Sequence, residues 1–337
     1  MATRVAINGL GRIGRSVLKL LIDEPSVAVV AVNDLVEAES LAYLLRFDTV
    51  YGRYERPVVV EDGHLVVAGR KLQTLRTRDP LELPWRQLDV ALVFECTGAL
   101  TRRADLDKHL HAGARTVLLS APSKGGEVET VVYGVNVPGA TANIISCASC
   151  TTNCITPIVE IIGRHIGIKK AVMTTVHAYT ASQAIVDGPN KRPRRGRAGA
   201  ANLVPSTTGA ALATTLALPE YAGRFDGIVI RAPIAVGSIA DLTFVTSRAT
   251  SVDEVNQVLS EEAGTKRYAG VVGVSHDPLV SSDIIGDARA SVVDLDLTKV
   301  IDGDLVKVMS WYDNEWGYAN QMVREALRLT ANGPGDA

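Results

Sequence analysis

The residues best suited to covalent chemistry surround Cys150, in the run Ala148-Ser149-Cys150-Thr151-Thr152-Asn153-Cys154. The mostly apolar run 155–162 follows and predicts a helix that begins near this cysteine. A thiol at a helix N-terminus meets unpaired N–H groups and the positive end of the helix dipole, which lower its pKa toward the reactive thiolate. A buried structural cysteine beside a Ser or Thr helix cap fits the same residues. The rest of the chain must decide between these two interpretations.

The N-terminal segment has the pattern of a dinucleotide-binding site. A strand over 4–8 leads into Gly9-Leu10-Gly11-Arg12-Ile13-Gly14, a helix follows, and a second strand ends at Asn33-Asp34. Gly9 permits the tight turn, Gly11 lets the backbone approach a pyrophosphate, and Gly14 lets the helix pack closely. Asp34 lies about twenty residues further on, where a carboxylate accepts bonds from ribose hydroxyls and repels a 2′-phosphate. The sequence therefore predicts NAD rather than NADP.

Further elements place more polar residues at strand ends. Thr97 follows the strand predicted over 90–94, and Ser120 follows the strand over 116–119, so both are candidate cofactor contacts. The fold class is α/β, with a Rossmann-type doubly wound NAD-binding domain and an α+β catalytic domain built on a mixed or antiparallel sheet. We predict that residues 1–149, with a C-terminal helix over 316–332, form the first domain. Residues 150–315 form the second.

Candidate polar residues continue in the second half. A strand over 171–176 ends at His177, and Arg231 is a lone cation within an apolar strand. A charge in such a strand needs an acidic partner or a ligand anion. Val204-Pro205-Ser206-Thr207-Thr208-Gly209 is a hydroxyl-rich turn before a helix, which also suits an anion. The basic loop 191–197 has no interleaved aromatic residues, which favours a solvated charge run, a phosphate site or a subunit contact over a nucleic-acid patch.

Composition excludes several classes of protein. The 337 residues are 47% hydrophobic and 21% charged, with a net charge of −2, so neither nucleic acid nor an anionic membrane is the expected main partner. No apolar run approaches the roughly 18 residues of a spanning helix. The start, Met1-Ala2-Thr3-Arg4-Val5, runs directly into a strand pattern, which predicts no signal peptide. Three of the four cysteines lie within residues 147–154, unlike a secreted disulfide framework, so we expect a cytoplasmic protein.

Taken together, these motifs closely resemble the phosphorylating glyceraldehyde-3-phosphate dehydrogenase family. The resemblance extends almost from end to end, in the family's order. It rests on the segments 7–15, 148–154, His177-Ala178-Tyr179-Thr180, 205–209 and Trp311-Tyr312-Asp313-Asn314-Glu315-Trp316-Gly317-Tyr318.

The resemblance implies a mechanism and its participants. The Cys150 thiolate attacks the aldehyde carbon of glyceraldehyde 3-phosphate, and His177 lowers the thiol pKa and takes the hydroxyl proton as hydride leaves for NAD. Inorganic phosphate then attacks the thioester and releases the acyl phosphate, 1,3-bisphosphoglycerate. The resemblance also implies a homotetramer, with the basic loop near a neighbouring subunit's cofactor.

The resemblance assigns further contacts by position. It places the substrate phosphate on Thr180 and Arg231, and the attacking phosphate on Ser149, Thr151, Arg195, Thr208 and Gly209. Arg194 and Arg197 are close alternatives to Arg195. The cofactor contacts that it implies are Arg12, Ile13, Asp34, Arg78, Ser120 and Asn314. Gly188, where the family commonly has a larger apolar residue, leaves the use of NADP open.

Cys147 departs from the family, which commonly has Asn at this position. It forms a Cys147-x-x-Cys150 pair, and one hypothesis is a redox switch in which Cys147 acts as the resolving thiol. A zinc site would need a fourth ligand and would quench the nucleophile, so we expect no metal. Two alternatives to the assigned function stay open: erythrose-4-phosphate dehydrogenase, and a non-catalytic nucleotide- or RNA-binding role.

Overall fold

The computed structural model describes residues 2–331, and contacts within the chain group these residues into two units. The first unit contains residues 2–131, 137–148 and 319–331, and the second contains 132–136 and 149–318. The predicted domain ranges, 1–149 with 316–332 and 150–315, include residues 1 and 332, which lie outside the described residues.

The first unit consists of short strands, three helices and most of a further C-terminal helix. Its strands are β1 (Thr3–Asn8), β2 (Val27–Asn33), β3 (Phe47–Asp48), β4 (Gly52–Arg53), β5 (Val58–Glu61), β6 (His64–Val67), β7 (Arg70–Leu75), β8 (Leu92–Glu95), β9 (Thr116–Leu119), β10 (Glu129–Thr130) and β11 (Ile144–Ser146). Its helices are α1 (Arg12–Ile22), α2 (Ala38–Arg46) and α3 (Arg103–His111).

Nine of these strands form one sheet, in the order β10-β11-β9-β8-β1-β2-β7-β6-β5. Every pairing from β10 to β7 is parallel, whereas β6 and β5 add antiparallel pairings at one edge. The chain order reverses at β1, which lies between β2 and β8. Ligands of doubly wound sheets bind at the carboxyl ends of the strands at such a reversal. The predicted doubly wound fold is therefore confirmed, and its ligand edge lies at Asn8.

The second unit is built on longer strands. They are β12 (Ile168–Ala178), β13 (Val204–Thr207), β14 (Phe225–Ala232), β15 (Ser238–Thr246), β16 (Val272–Ser275), β17 (Ser291–Ile301) and β18 (Leu305–Tyr312). The sheet order is β13-β14-β12-β15-β18-β17-β16, with parallel and antiparallel pairings. The predicted mixed sheet is confirmed.

Four further helices complete the elements of the described chain: α4 (Cys150–His165), α5 (Ala210–Ala217), α6 (Val252–Ala263) and α7 (Trp316–Ala331). Single 3₁₀ turns lie at Pro80–Glu82, Pro193–Gly196, Gly199–Ala201, Pro219–Tyr221 and Ser281–Ile284. Helix α4 packs into the core of the second unit through Ile155, Ile158 and Ile162, which are fully buried and spaced by three or four residues. This core contact fixes the N-terminal end of α4, where Cys150 lies.

Two element boundaries differ from the sequence prediction. Helix α1 begins at Arg12 rather than near residue 15, because the turn at Gly11 already has the extended backbone of an N-cap. Strand β12 runs through Ala178, so His177 lies within the strand instead of after it. The extension arises because β12 stays paired with β14 up to the last residue of both strands, Ala178 opposite Ala232.

Candidate active site

Cys150 is the first residue of α4, and the local sequence explains why the helix begins there. The Ser149 Oγ accepts a hydrogen bond from the Thr152 backbone N–H (3.2 Å) and lies 2.8 Å from the Thr152 hydroxyl, so Ser149 is the N-cap. The backbone N–H groups of Cys150 and Thr151 face the sulfur. The prediction that the Cys150 thiol lies at a helix N-terminus is therefore confirmed, and the preceding residue, Ser149, caps the helix.

His177 is brought to Cys150 by the sheet. Its Nε2 lies 3.3 Å from the Cys150 Sγ, within hydrogen-bonding distance for sulfur. His177 is buried, and the ring of Tyr312 meets it edge-on at a centroid distance of 6.0 Å. Two candidates that stand 27 positions apart in the chain thus form one thiol–imidazole pair, an arrangement that suits a nucleophile and its base.

Arg231 lies on the other side of the imidazole. It is directly opposite His177 in the parallel pairing of β12 and β14. Its Nη1 is 2.7 Å from the His177 Nδ1 and 3.1 Å from the Ala178 carbonyl oxygen. Within the described residues Arg231 forms no ion pair with a carboxylate, and its Nε is buried without a hydrogen-bond partner. The acidic partner that the sequence offered as one possibility is therefore not found among the described side chains, and the possibility of a ligand anion stays a prediction.

Burial has the largest effect on the pKa values of the pair and outweighs the predicted effect of the helix terminus. We expected the helix terminus and His177 to lower the pKa of Cys150. In the structure burial raises the pKa of the Cys150 thiol, although Arg231 and the N–H groups of α4 act in the opposite direction. Burial, followed by the charge of Arg231, lowers the pKa of His177 to about 3. In both residues burial favours the neutral form over the charged form.

Tyr312 connects the nucleophile's helix to the sheet and was not singled out from the sequence. Its buried hydroxyl lies 2.9 Å from the Thr151 Oγ1 and 2.7 Å from the Thr175 Oγ1. Thr151, a predicted phosphate contact, therefore has its hydroxyl held by Tyr312. The only available signal was the position of Tyr312 at the end of an alternating strand, directly before the polar run 313–315.

The three candidate arginines of the basic loop have different surroundings. They are Arg194, Arg195 and Arg197. Arg195 Nε donates to the Ser206 Oγ (3.0 Å) and Nη1 donates to the Ser182 Oγ (3.1 Å). Burial and the charge of Arg231 lower the pKa of Arg195 to about 10, so this side chain is partly desolvated and close to another cation. Arg197 instead forms an exposed ion pair with Asp187. The remaining candidate, Arg194, is exposed.

Hydroxyl groups surround Arg195. The Thr180 Oγ1 lies 2.9 Å from the Ser182 Oγ, which also contacts Arg195. The Thr208 Oγ1 accepts from the Ala210 N–H (3.1 Å) at the start of α5. Gly209 is the N-cap of this helix, and nothing lies within 4 Å of a Cβ built on it. This space fits the predicted approach of an anion to the helix N-terminus.

Asn314 is fixed by the same sheet that carries His177. The Ser238 hydroxyl donates to the Asn314 Oδ1 (2.9 Å) and accepts from the Ala178 N–H (3.1 Å). Ser238 is fully buried and was not identified from the sequence as a site residue. With its Oδ1 occupied, the amide group of Asn314 has its Nδ2 atom available as a donor.

The three glycines of the first unit have the roles that their spacing predicts. Gly9 has a φ of +92°, and a Cβ there would lie 2.7 Å from the Thr97 nitrogen. A Cβ on Gly14 would lie 1.9 Å from the Gly9 carbonyl oxygen, so only glycine fits between helix and turn. Nothing lies within 4 Å of a Cβ built on Gly11. This gap is where a pyrophosphate would approach the backbone, and the residues present fit a dinucleotide.

Most of the other cofactor candidates follow the ends of strands, whereas Arg12 and Ile13 are the first residues of α1. Asp34 Oδ2 accepts from the Leu10 N–H (2.7 Å), which places this carboxylate against the glycine turn. Thr97 and Arg78 are exposed, Ile13 is half-buried, and Ser120 hydrogen-bonds Cys96. Arg12 forms an ion pair with Asp48 and lies over the ring of Tyr51 (5.5 Å to the centroid). Its guanidinium is thus turned toward the segment 48–51.

Residues 2–331 contain neither a membrane-spanning helix nor a metal-binding group of side chains. None of the helices is both long and apolar enough to cross a membrane. No cluster of three or more His, Cys, Asp or Glu side chains there could hold a metal ion. All four cysteines are free thiols.

Comparisons with known proteins agree over the whole length. A family model described as the NAD binding domain of glyceraldehyde 3-phosphate dehydrogenase matches residues 3–103, and one described as its C-terminal domain matches residues 149–314. The glyceraldehyde-3-phosphate dehydrogenase of Priestia megaterium is 44% identical over 99% of this chain and 100% of its own. Glyceraldehyde-3-phosphate dehydrogenase 1 of Bacillus subtilis is also 44% identical, with the same coverage. The enzyme of that name from Kitasatospora aureofaciens is 47% identical over 98% of this chain and 99% of its own. With two family models that match most of its length and relatives of this similarity, the chain belongs to the glyceraldehyde-3-phosphate dehydrogenase family.

Proposed function

We propose that this chain is a phosphorylating glyceraldehyde-3-phosphate dehydrogenase, which converts D-glyceraldehyde 3-phosphate, NAD and inorganic phosphate reversibly to 1,3-bisphosphoglycerate in glycolysis and gluconeogenesis. One observation carries the proposal: the Cys150 Sγ lies 3.3 Å from the His177 Nε2 at a helix N-terminus. The names of the relatives and the match to an NAD-binding domain agree with it, and the chain is an NAD-dependent oxidoreductase.

In the first step Cys150 forms a covalent bond to the substrate. As the sulfur attacks the aldehyde carbon, the thiol proton passes to the His177 Nε2 and from there to the former carbonyl oxygen, so the product is a neutral thiohemiacetal and His177 is again unprotonated at Nε2. Because burial raises the pKa of Cys150, proton removal by His177 is coupled to the attack instead of preceding it.

His177 needs one particular tautomer for this step. Its Nδ1 lies 2.7 Å from the Ala178 carbonyl oxygen and also 2.7 Å from the Arg231 Nη1. The nitrogen can donate to the carbonyl or accept from the guanidinium, but not both. Only the first arrangement leaves Nε2 without a proton and able to act as base. A substrate phosphate that draws the Arg231 guanidinium to itself therefore favours the active tautomer.

In the second step the thiohemiacetal is oxidised to a thioester on Cys150. His177 takes the hydroxyl proton as the hydride leaves the same carbon. NAD would supply the hydride acceptor when it is bound. Asn314, whose Oδ1 is held by Ser238, has its Nδ2 available and would hold the carboxamide group of the cofactor.

In the last step inorganic phosphate attacks the thioester carbonyl. The carbon–sulfur bond breaks, Cys150 leaves as the thiolate, and the acyl phosphate is released. We assign the attacking phosphate to Arg195, Thr208 and Gly209, together with the hydroxyls of Ser149 and Thr151, and the substrate phosphate to Arg231 and Thr180. Arg195 is preferred over Arg197 because Arg197 is already paired with Asp187.

The first unit supplies the groups that hold NAD. Gly9, Gly11 and Gly14 form the turn, Asp34 accepts from the ribose hydroxyls, and Arg12, Ile13, Arg78, Thr97 and Ser120 complete the set. The negative charge of the Asp34 carboxylate disfavours a 2′-phosphate. The Leu10 and Val36 N–H groups hold this carboxylate in place. We therefore propose NAD as the working cofactor.

The decisive experiment is the initial rate of NAD reduction with D-glyceraldehyde 3-phosphate, with and without inorganic phosphate. We expect the rate to depend on phosphate and to exceed the rate with erythrose 4-phosphate. A rate independent of phosphate, or faster turnover of the tetrose phosphate, would contradict the proposal. A chain that binds NAD and reduces none with either substrate would instead support the non-catalytic role.

We further propose a cytoplasmic homotetramer. Val172 on β12 and Ile228 on β14 are more than half exposed, and both lie on the sheet face opposite the buried Met173. Ile185 and Leu203, on either side of the basic loop, are 87% and 68% exposed. Apolar side chains grouped in this way suit a second copy of the same chain. Light scattering that gives the mass of a monomer would overturn this assignment.

A further inference from the structure

A line of buried amide side chains crosses the parallel sheet of the first unit. The Asn33 Nδ2 donates to the Asn8 Oδ1 (2.7 Å), and the Asn8 Nδ2 donates to the Glu95 Oε2 (2.6 Å). At the far end, the Asn33 Oδ1 accepts from the Thr77 backbone N–H (2.9 Å). Each amide therefore donates toward Glu95, and the Asn33 Nδ2 also donates to the Thr77 carbonyl oxygen (2.8 Å). Glu95 is the acceptor at which this polar line ends.

Glu95 is itself fully buried and collects further donors. Its Oε1 accepts from the Thr97 backbone N–H (2.8 Å) and from the Thr97 hydroxyl. The His109 Nε2 lies 3.1 Å from its Oε2. The Trp85 Nε1–H donates to the His109 Nδ1 (3.0 Å), so the ring proton is on Nε2 and points at the carboxylate. In the part of the chain that the structure describes, no Lys or Arg forms an ion pair with Glu95.

The residues of this polar line stand directly beside the predicted cofactor contacts in the sequence. Strands β2, β1 and β8 are neighbours in the sheet, and Asn33, Asn8 and Glu95 are the last residues of these strands. Three members of the line each stand immediately before a candidate cofactor residue: Asn8 before Gly9, Asn33 before Asp34, and Thr77 before Arg78. Thr97, which binds Glu95, also forms the surface against which Gly9 packs.

We propose that Glu95 is a positioning residue for the dinucleotide, acting through Asn8 and Thr97. An amide side chain can rotate by a half-turn and exchange its donor for its acceptor, but a carboxylate can only accept. Glu95 therefore sets the orientation of Asn8, and Asn8 joins Glu95 to Asn33, whose amide is also held by the backbone N–H and carbonyl groups of Thr77. The backbone at the glycine turn and at Asp34 is held as a consequence. This inference rests on the proposed function, since it concerns the NAD site.

Glu95→Gln tests the proposal, because glutamine keeps the size and places an N–H₂ group against existing donors. His109 cannot change tautomer to compensate, since Trp85 donates to its other nitrogen. Removal of one or two charge-assisted hydrogen bonds corresponds to about a tenfold change in an equilibrium constant. We expect the Kd for NAD, measured by calorimetry on the full-length protein, to rise about tenfold. The KM for the aldehyde and kcat at saturating NAD stay within about twofold of the parent.

Glu325→Gln is the matched control for the loss of a buried carboxylate. Glu325 is 1% exposed, lies in the first unit on α7, and forms an ion pair with Arg328. We expect this variant to lose thermal stability without a change in the Kd for NAD. Equal effects of both variants on Tm and on the Kd would reduce Glu95 to a general packing role and overturn the proposal.

His109 gives a second test that survives if Glu95→Gln does not fold. His109→Leu removes a donor to Glu95 from helix α3, and His109→Gln restores an N–H donor. We expect the Kd for NAD to rise severalfold with leucine and to return to within twofold with glutamine. An unchanged Kd in the folded leucine variant would contradict the proposal. If the parent binds NAD but reduces none with either sugar phosphate, the proposed function fails while this inference, read from binding, is still tested.

Discussion

Arg231 and His177 face each other across two parallel strands, with the Arg231 Nη1 2.7 Å from the His177 Nδ1. Cys150 lies on the opposite side of the same ring. The cation therefore acts on the nucleophile both directly and through the base. Its charge lowers the pKa of His177 and also favours the thiolate of Cys150.

Arg231→Gln separates these contributions. Without the cation the pKa of Cys150 rises further, so alkylation of the thiol by iodoacetamide should reach half its maximal rate at a higher pH than in the parent. The KM for glyceraldehyde 3-phosphate should rise at least tenfold, because a charge-assisted contact to phosphate is lost. Arg197→Gln, which removes an exposed cation paired with Asp187, is the control. An alkylation profile that does not move in Arg231→Gln would contradict this account.

Cys150→Ser should abolish the oxidation of the aldehyde, with a loss on the order of 10³-fold or more in kcat, because a hydroxyl in this position is a far weaker nucleophile. The Kd for NAD should stay within about twofold, since the dinucleotide residues lie elsewhere in the chain. Parallel measurement of rate and NAD binding checks both. A rate like that of the parent would refute the assignment of the nucleophile.

Arg195→Gln should raise the KM for inorganic phosphate about tenfold or more and leave the KM for NAD unchanged. The reason is that Arg195 is partly desolvated beside a second cation and has only hydroxyl partners among the described side chains. Arg197→Gln and Arg194→Gln should change this KM less than twofold. If one of those two variants shows the large effect instead, the phosphate contact must be reassigned.

His177 should make the protein sensitive to mild acid. Its pKa is lowered to about 3 in the folded chain, below the ordinary value near 6.5, so the unfolded chain binds more protons between these values. The stability that it contributes is complete above pH 6.5 and is lost as the pH falls toward 3. From this residue alone, the free energy of unfolding should fall by about 1.4 kcal/mol per pH unit. Urea titrations at pH 6.5 and 5.5 should show a smaller fall in His177→Asn, and equal falls would contradict the assignment.

Cys147 should not act as a resolving thiol. Burial and the nearby Glu325 raise its pKa well above the ordinary value, so little thiolate forms. We expect the parent and Cys147→Ser to be inactivated equally by mild peroxide and to recover equally with reductant. Recovery in the parent alone would revive the hypothesis of a switch between Cys147 and Cys150. Thiol titration after each treatment gives the number of oxidised cysteines.

The sequence predicted those parts of the molecule that depend on local pattern. The glycine turn, the helix that begins at Cys150 and the mixed sheet follow from residue spacing and hydrophobic period, and the structure agrees with each. The N–H groups at the helix terminus lower the pKa of Cys150 as predicted, but burial outweighs them, and burial depends on how the whole core packs around the thiol. Tyr312 and Ser238 support other site residues through hydrogen bonds between elements that lie far apart in the sequence. No spacing rule along the chain reveals such contacts.

The in-register pairing of His177 with Arg231 has a consequence for how this site can change. Their separation is set by one interstrand distance, about 4.8 Å, instead of by the shape of a loop. Side chains alternate between the two faces of a strand, so insertion or deletion of one residue within β12 or β14 would turn the base or the cation to the opposite face. This alternation does not constrain the loops around the site. Within the two strands, only the insertion or deletion of an even number of residues keeps both side chains on their present face. We therefore expect a change of chemistry in this fold to arise from substitutions or from changes in the loops, while the sheet keeps His177 and Arg231 in place.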